Sequence, residues 1–492
     1  MYGKIISMAF IALGLMLGLA NAGPAVKVSG SNVQIKEGVP DEAVAQLKSV
    51  KDGATVKAEK IADADLEKIC SAMPNMTKLE VTESKALTSI APIAGLSHLK
   101  GLKISAEQVK DFTPLARLTN LESIDVSSEA MGPDLKWMSG FTNLKTLRVD
   151  GDSNLTSFEG LPALASLTSI RLGGASPADL SPLLAMTGLK TVDLTGCTIA
   201  DLSPLAKLPK MTELNLYGVT VKDFSPLAGC PALKKLTYYA VKDADFSTLG
   251  KLIQVVELKG GLTRLNDISW VANLPNLKKF DVFAEYVTDY SPLTKTSIES
   301  FQIWNMREPV GDLAAVGQMK SLKELKLWSA EGATNSASLS GLGNLEKFTI
   351  TSEYNKKSGE PFDFAAASGW SKVKEIDVTG AKLVNTDSLA SASALQTLKL
   401  SKIKGDAPLS LNFAGKLGAL KTLSLNECKV SDFDALAACG SLEYVTLTKV
   451  EGVNSLAALK KLPSLKRLNI SKGALADAEL EGFASNVKIT QR

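Results

Sequence analysis

Five aromatic residues, Tyr217, Tyr239, Phe283, Trp304 and Trp328, occupy one recurring slot of this chain, within six consecutive copies of it, and no other copy of that slot is aromatic. Large rings gathered on a surface are the chemistry of interfaces and sugar sites, because each offers a broad apolar area with an oriented polar edge. Asn215, Lys259, Asp281, Gln302, Asn305 and Lys326 lie beside the rings and would supply polar contacts. Rings can also stabilise one another along a sheet, at roughly 0.2–1 kcal/mol per pair. That accounts for neighbours, but not for the restriction to one slot and one stretch of the chain.

Other chemistry is thinly represented. The single histidine, His98, leaves no His-based triad, dyad or metal cluster, and phosphate loops and paired CxxC motifs are missing. No catalytic residue, cofactor or metal is therefore expected, and the protein is read as a non-enzyme. A net charge of +3 on 492 residues, with 22% charged residues, steers nothing strongly and speaks against nucleic acid as a partner.

The elements that must position the rings are set by a repeat. An LxxLxL-type phrase begins at Met76, Leu99, Leu121, Leu144, Leu167, Leu189, Met211, Leu233, Val255, Leu277, Ile298, Leu322, Leu345, Val373, Leu395, Leu420, Leu442 and Leu465, and 13 of the 17 intervals are 22 or 23 residues. Such a period makes each unit one strand plus a return segment stacked on its neighbours. In the copy from Leu189 to Lys210, Leu189, Val192 and Leu194 point inward, while Asp193 and Thr195 alternate outward. Ser203-Pro204 reads as a helix entry, a capping hydroxyl followed by a residue of suitable φ. Similar Pro-Leu or Pro-Ile steps at Pro92, Pro114, Pro182, Pro226 and Pro292 predict short turns or one-turn helices on the return side. At about 4.8 Å per parallel strand the five rings would form a stripe about 24 Å long.

These phrases and their IxDLxPLxxL-like return segments resemble the leucine-rich repeat family, most closely its bacterial internalin type. The resemblance implies an α/β solenoid with a curved parallel sheet on its concave face and 3-10 or one-turn helices on its convex face. It covers roughly residues 54–475, about 18 repeats plus a degenerate first one. One departure stands out: the family commonly places Asn three residues after the strand phrase, whereas here Cys197, Val219, Ala330, Ala381, Cys428 and Val450 hold that slot. Those turns must satisfy their backbone groups through one another or through water. On that concave face the aromatic stripe is expected to engage a protein partner.

The ends read as caps. Residues 23–53 form an N-terminal cap, with a hairpin through Ser31-Asn32 and a short helix over 41–50, and residues 476–492 form a C-terminal cap with a last strand around 487–489. Before them, Lys4, the apolar run 5–20 and the small-x-small sequence Ala20-Asn21-Ala22 read as a signal peptide over residues 1–22, leaving no transmembrane segment in the mature chain. An apolar run this short falls below the ~20 residues a spanning helix needs.

Five cysteines in an exported chain would suggest disulfides. Yet Cys197 and Cys428 share a slot ten repeats apart, about 48 Å at the parallel strand spacing, and Cys230 and Cys439 are equally separated. Buried thiols are expected instead.

Lysine fills the second phrase position in every even repeat, for example Lys100, Lys145, Lys278, Lys323 and Lys466, and never in the odd ones, where Glu122, Glu299, Glu346 and Glu443 occur. A self-neutralising lattice is the simpler account, a basic track for an anionic polymer the other. Residues 345–372, with the polar loop 351–361, and residues 395–419 are long copies in which a loop bulges.

Together these features describe an exported, monomeric, non-enzymatic binding protein of the periplasm, cell surface or medium, recognising a protein partner through its aromatic stripe. A carbohydrate or cell-wall polymer using the same stripe is one alternative, and a structural envelope component is another.

Overall fold

The computed structural model describes residues 25–491 apart from 152–154, 242–243, 263–264, 266, 285–286, 306–309, 329–332 and 353–359. The signal segment 1–22, residues 353–359 of the polar loop, and Ala330 therefore lie outside the described residues. Two compact units divide the chain, Met1–Val221 and Lys222–Arg492.

In the first unit an antiparallel hairpin, Val26–Ser29 with Asn32–Lys36, opens a sheet that continues in parallel through Thr55–Glu59, Lys78–Thr82, Gly101–Ser105, Ser123–Ser128, Thr146–Gly151, Ser169–Gly173, Thr191–Asp193 and Glu213–Asn215. The pairing of Ser29 with Asn32 puts the hairpin turn at Gly30-Ser31, one residue earlier than the sequence suggests. Gly30 takes φ of +61°, a conformation that glycine adopts without strain. Each pairing step equals one repeat, so Leu79, Leu102, Ile124, Leu147, Ile170, Val192 and Leu214 stack in a single buried row. The repeat period is thus the register: a shift by one residue would turn that whole row to solvent. Helices Asp41–Lys48 and Asp63–Ala72 stand in the return positions nearest the hairpin.

Among the described residues the second unit repeats the pattern with twelve strands of the main sheet, from Lys235–Tyr239, Glu257–Leu262, Lys279–Ala284, Ser300–Asn305 and Glu324–Trp328 through Lys347–Thr351 to Lys488–Gln491, all paired in parallel, and two short strand pairs lie on the return side. Its buried row grows bulkier, with Phe280, Phe301 and Phe348 among the leucines. Phe348 meets Phe362 at 5.3 Å and Trp370 at 4.8 Å between ring centroids. Among the described residues no helix is long and apolar enough to cross a membrane.

Return segments are mostly 3-10 helices of three to six residues, such as Ser203–Lys207 and Ser225–Gly229. The expected serine caps are corrected here: Ser203 is the first helical residue, and the acceptor is Asp201, whose Oδ1 takes the Ser203 N–H at 2.8 Å. Asp111, Asp179, Asp223, Asp245, Asp267, Asp289 and Asp312 do the same for the N–H two residues on. A carboxylate is the stronger acceptor for an orphan N–H and suits the positive end of a helix. Hydrogen bonds from Thr113, Ser181, Ser203 and Ser225 accordingly hold Asp111, Asp179, Asp201 and Asp223 below the usual carboxylate range.

Where the family would place Asn, the turns bond one another. The Thr198 N–H donates to Ala175 O at 3.0 Å and Thr220 N–H to Cys197 O at 3.2 Å, and in the second unit Lys404 N–H donates to Ala381 O and Glu451 N–H to Cys428 O, both at 2.9 Å. The Cys197 thiol lies 2.8 Å from Leu172 O and the Cys428 thiol 3.2 Å from Leu400 O, a weak donor in place of an amide. Burial raises these thiols, to about 12 for Cys70 and Cys197 and about 11 for Cys230 and Cys439. Since the thiolate is the reactive form, all five cysteines, each buried as a free thiol, should resist an aromatic disulfide reagent at pH 8 and react only after denaturation. Rapid labelling of several in the native protein would contradict this packing.

Candidate functional site

Three rows of side chains cross the solvent face of the second unit's sheet. The first runs Lys235, Glu257, Lys279, Ser300, Glu324 and Lys347; the second Thr237, Lys259, Asp281, Gln302, Lys326 and Thr349; the third Tyr239, Gly261, Phe283, Trp304, Trp328 and Thr351. Strand alternation dictates this, because Leu258, Phe280, Phe301 and Leu325 fill the opposite, buried face. From Tyr239 to Trp328 is four strand spacings, about 19 Å.

Trp304 and Trp328 stack with centroids 4.0 Å apart and planes 10° from parallel. That separation is close to the distance between neighbouring strands, so the indoles stand on edge with their faces turned along the row. Each gives one face to the other. The Trp328 Nε1–H is buried without a hydrogen-bond partner. Phe283 is the register partner of Trp304, yet among the described residues the two form no ring contact like that of the tryptophan pair. Phe283 lies close against Gly261 instead, where a Cβ would run into its Cβ and backbone. The one non-aromatic position inside the stripe is therefore a packing requirement.

Asp281 sits at the centre of the patch. Its Oδ1 is buried and unpartnered, and Tyr239 stands two strands away in the neighbouring row, beyond side-chain-free Gly261. Burial raises the Asp281 carboxyl above its ordinary value, and the Tyr239 hydroxyl and the charges of Lys259 and Lys326 offset this only in part. Those two lysines are engaged along their own strands, Lys259 with Glu257 at 3.0 Å and Lys326 with Glu324 at 3.1 Å.

A stability signature follows from the sign of that shift. A carboxyl whose folded-state value is raised binds protons more tightly when folded, so its ionisation favours the unfolded chain once pH passes the unfolded value. Asp281→Asn should therefore raise the thermal midpoint at pH 7 and leave it unchanged below about pH 3, where both states are protonated. Lower stability of the variant at pH 7 would show that the carboxylate supports the fold.

Tyr217 and Asn215 belong to the first unit. Tyr217 is 52% exposed, but Asn215 serves a local network: its Nδ2 donates to Asp193 Oδ2 at 3.1 Å and Thr195 Oγ1 at 3.2 Å. Arg171 is the hub, donating to Asp150 at 2.7 Å and Asp193 at 2.6 Å. Burial opposes ionisation of Asp193, yet hydrogen bonds from Thr195 and Arg171 outweigh it and hold the carboxyl below the usual range. Asn305 ends its strand, and its side chain lies outside the described residues.

Sequence reasoning placed the second unit's rings and polar neighbours in adjacent rows, and the structure joins Tyr239, Lys259, Asp281, Phe283, Gln302, Trp304 and Lys326 on one face. It missed the special state of Asp281, for which Gly261 in an aromatic slot was the available signal. The alternating lysines form ion pairs as a self-neutralising lattice would: Glu299 lies 3.4 Å from Lys278 and 2.7 Å from Lys323, and Glu346 2.7 Å from Lys374. Among the described residues no three His, Cys, Asp or Glu side chains gather as a metal site requires.

No protein-family model matches the sequence, and no curated protein does. Solved structures do. An internalin from Listeria monocytogenes is 19% identical over 82% of this chain and 88% of its own, with a TM-score of 0.36. A leucine-rich repeat protein of Leptospira interrogans is 16% identical over 92% of both chains, at 0.40. TLR13, in complex with ssRNA13, is 16% identical over 93% of this chain and 81% of its own, at 0.57. At these identities the likeness is one of fold.

Proposed function

We propose that this chain, a leucine-rich repeat protein by fold, is an exported, non-enzymatic binding protein that holds a protein partner on the solvent face of its second unit. Residues 1–22 would direct export, to the periplasm, the cell surface or the medium. The observation that carries the reading is the preassembled Trp304–Trp328 stack beside an under-satisfied carboxylate. Rigid aromatic anchors with few rotamers to lose, set among polar groups, are how interfaces concentrate binding energy.

The stack also separates this reading from the sugar-binding one. A lectin platform lays a broad open ring face outward against a pyranose, whereas these indoles spend a face each on one another and stand on edge, leaving only the outer faces of the pair, turned along the row. The TLR13 structure holds a single-stranded RNA, but here Lys259, Lys326 and Lys347 are each paired with a glutamate, within 2.9–3.1 Å. A polyanion gains most from lysines whose charge is not already matched.

Capture from the envelope and medium fractions of the native host, with wild-type protein and a Trp304→Ala/Trp328→Ala variant as parallel baits, tests the reading. A protein retained by the first and lost by the second is expected, with no signal on a glycan array. A glycan whose binding the double variant abolishes would replace the protein partner with a carbohydrate.

A further inference from the structure

We propose that the slot between Phe283 and Trp304, floored by Asp281 and Gln302, receives an arginine side chain of the protein partner. This deepens the protein-binding reading and rests on it. Phe283 pairs with Trp304 and Asp281 with Gln302 on the same two strands, so the Cα atoms of the four residues mark a rectangle about 4.8 Å by 6.6 Å, and the Phe283 Cβ leans toward Gly261, away from Trp304. Trp304 gives one face to Trp328; its other face turns toward the strand of Phe283, which packs against Gly261. The slot thus has an aromatic wall and an acidic floor.

Each feature matches a part of a guanidinium. Its flat, weakly hydrated face stacks on an indole, as an ammonium cannot. Its several N–H donors suit a carboxylate with an unpartnered oxygen, and the Gln302 side chain can accept another. The nearest cations of the row, Lys259 and Lys326, are held by Glu257 and Glu324 rather than by a direct contact with Asp281. An incoming cation offsets with its charge the cost of keeping the buried carboxylate ionised, so binding should weaken as the solution is acidified.

The test is selection of random displayed peptides on the full-length protein, on Asp281→Asn and on Trp304→Leu, with thermal melts confirming that each variant is folded. The wild-type protein is expected to enrich peptides carrying Arg over Lys by about tenfold, a factor worth about 1.4 kcal/mol, and both variants should lose that enrichment. Resynthesis of a selected peptide with citrulline, which keeps the planar shape and removes the charge, should weaken binding at least tenfold. Peptides that depend on Trp304 but lack arginine, or that bind equally well with citrulline, would overturn the arginine slot while leaving the protein-binding reading intact. Selected peptides indifferent to Trp304 and Trp328 would overturn both.

Discussion

Replacing Phe348 by Ala is expected to destabilise the second unit by about 3–5 kcal/mol, the usual range for removing a fully buried aromatic side chain. Phe348 has no exposed surface, and it touches Phe362, Phe364 and Trp370. Trp370 is itself fixed, its Nε1–H donating to Leu339 O at 2.9 Å, so the cavity is bounded by a ring that cannot readily move into it. In a repeat array each copy leans on its neighbours, and the loss should therefore appear as early melting around residues 348–370 before the remainder of the unit. Thermal unfolding followed by tryptophan emission and by limited proteolysis would show it. A variant whose midpoint stays within a degree or two of wild type would mean that this aromatic cluster does not secure the unit.

The second large effect concerns binding rather than folding. Trp304→Ala with Trp328→Ala should weaken a captured partner by about 2–4 kcal/mol, the scale of interface anchors, which is on the order of a hundredfold in Kd. Its stability effect should be much smaller. The stacked pair contributes about 0.5–1.5 kcal/mol beyond its area burial, and truncating Trp328 also removes a buried N–H that has no partner. That asymmetry distinguishes a recognition surface from a structural ladder. If the double variant melted far below wild type while the affinity of its folded fraction stayed unchanged, the rings would be there for the sheet.

The sequence made the architecture legible because register and repeat are the same quantity. Once the phrase starting at Leu277 follows that at Val255 by one period, Leu258 must stack on Phe280, and Gly261 must face Phe283. The rows of the candidate site were legible for the same reason, from Lys259 to Lys326 and from Tyr239 to Trp328. What a pattern of residue types cannot supply is the direction a long side chain takes. Nothing in the sequence says that Trp304 turns to Trp328 rather than to Phe283, nor that the Asp281 Oδ1 is buried without a partner. Asn215 shows the opposite case: its slot promised a binding contact, but Asp193 and Thr195 engage its amide. The caps were misread because serine and aspartate are both capping residues, and the choice of Asp201 over Ser203 depends on which of them lies outside the helix, two residues before the N–H it accepts.

Hydroxyl-radical footprinting of the full-length protein, alone and with its captured partner, addresses the binding surface most directly, since aromatic side chains report their own exposure. The account predicts that oxidation of Phe283, Trp304 and Trp328 falls in the complex, while Tyr444, 41% exposed on a distant strand of the same unit, is oxidised as before. Unchanged oxidation of Trp304 and Trp328, with protection confined to the return segments, would contradict it.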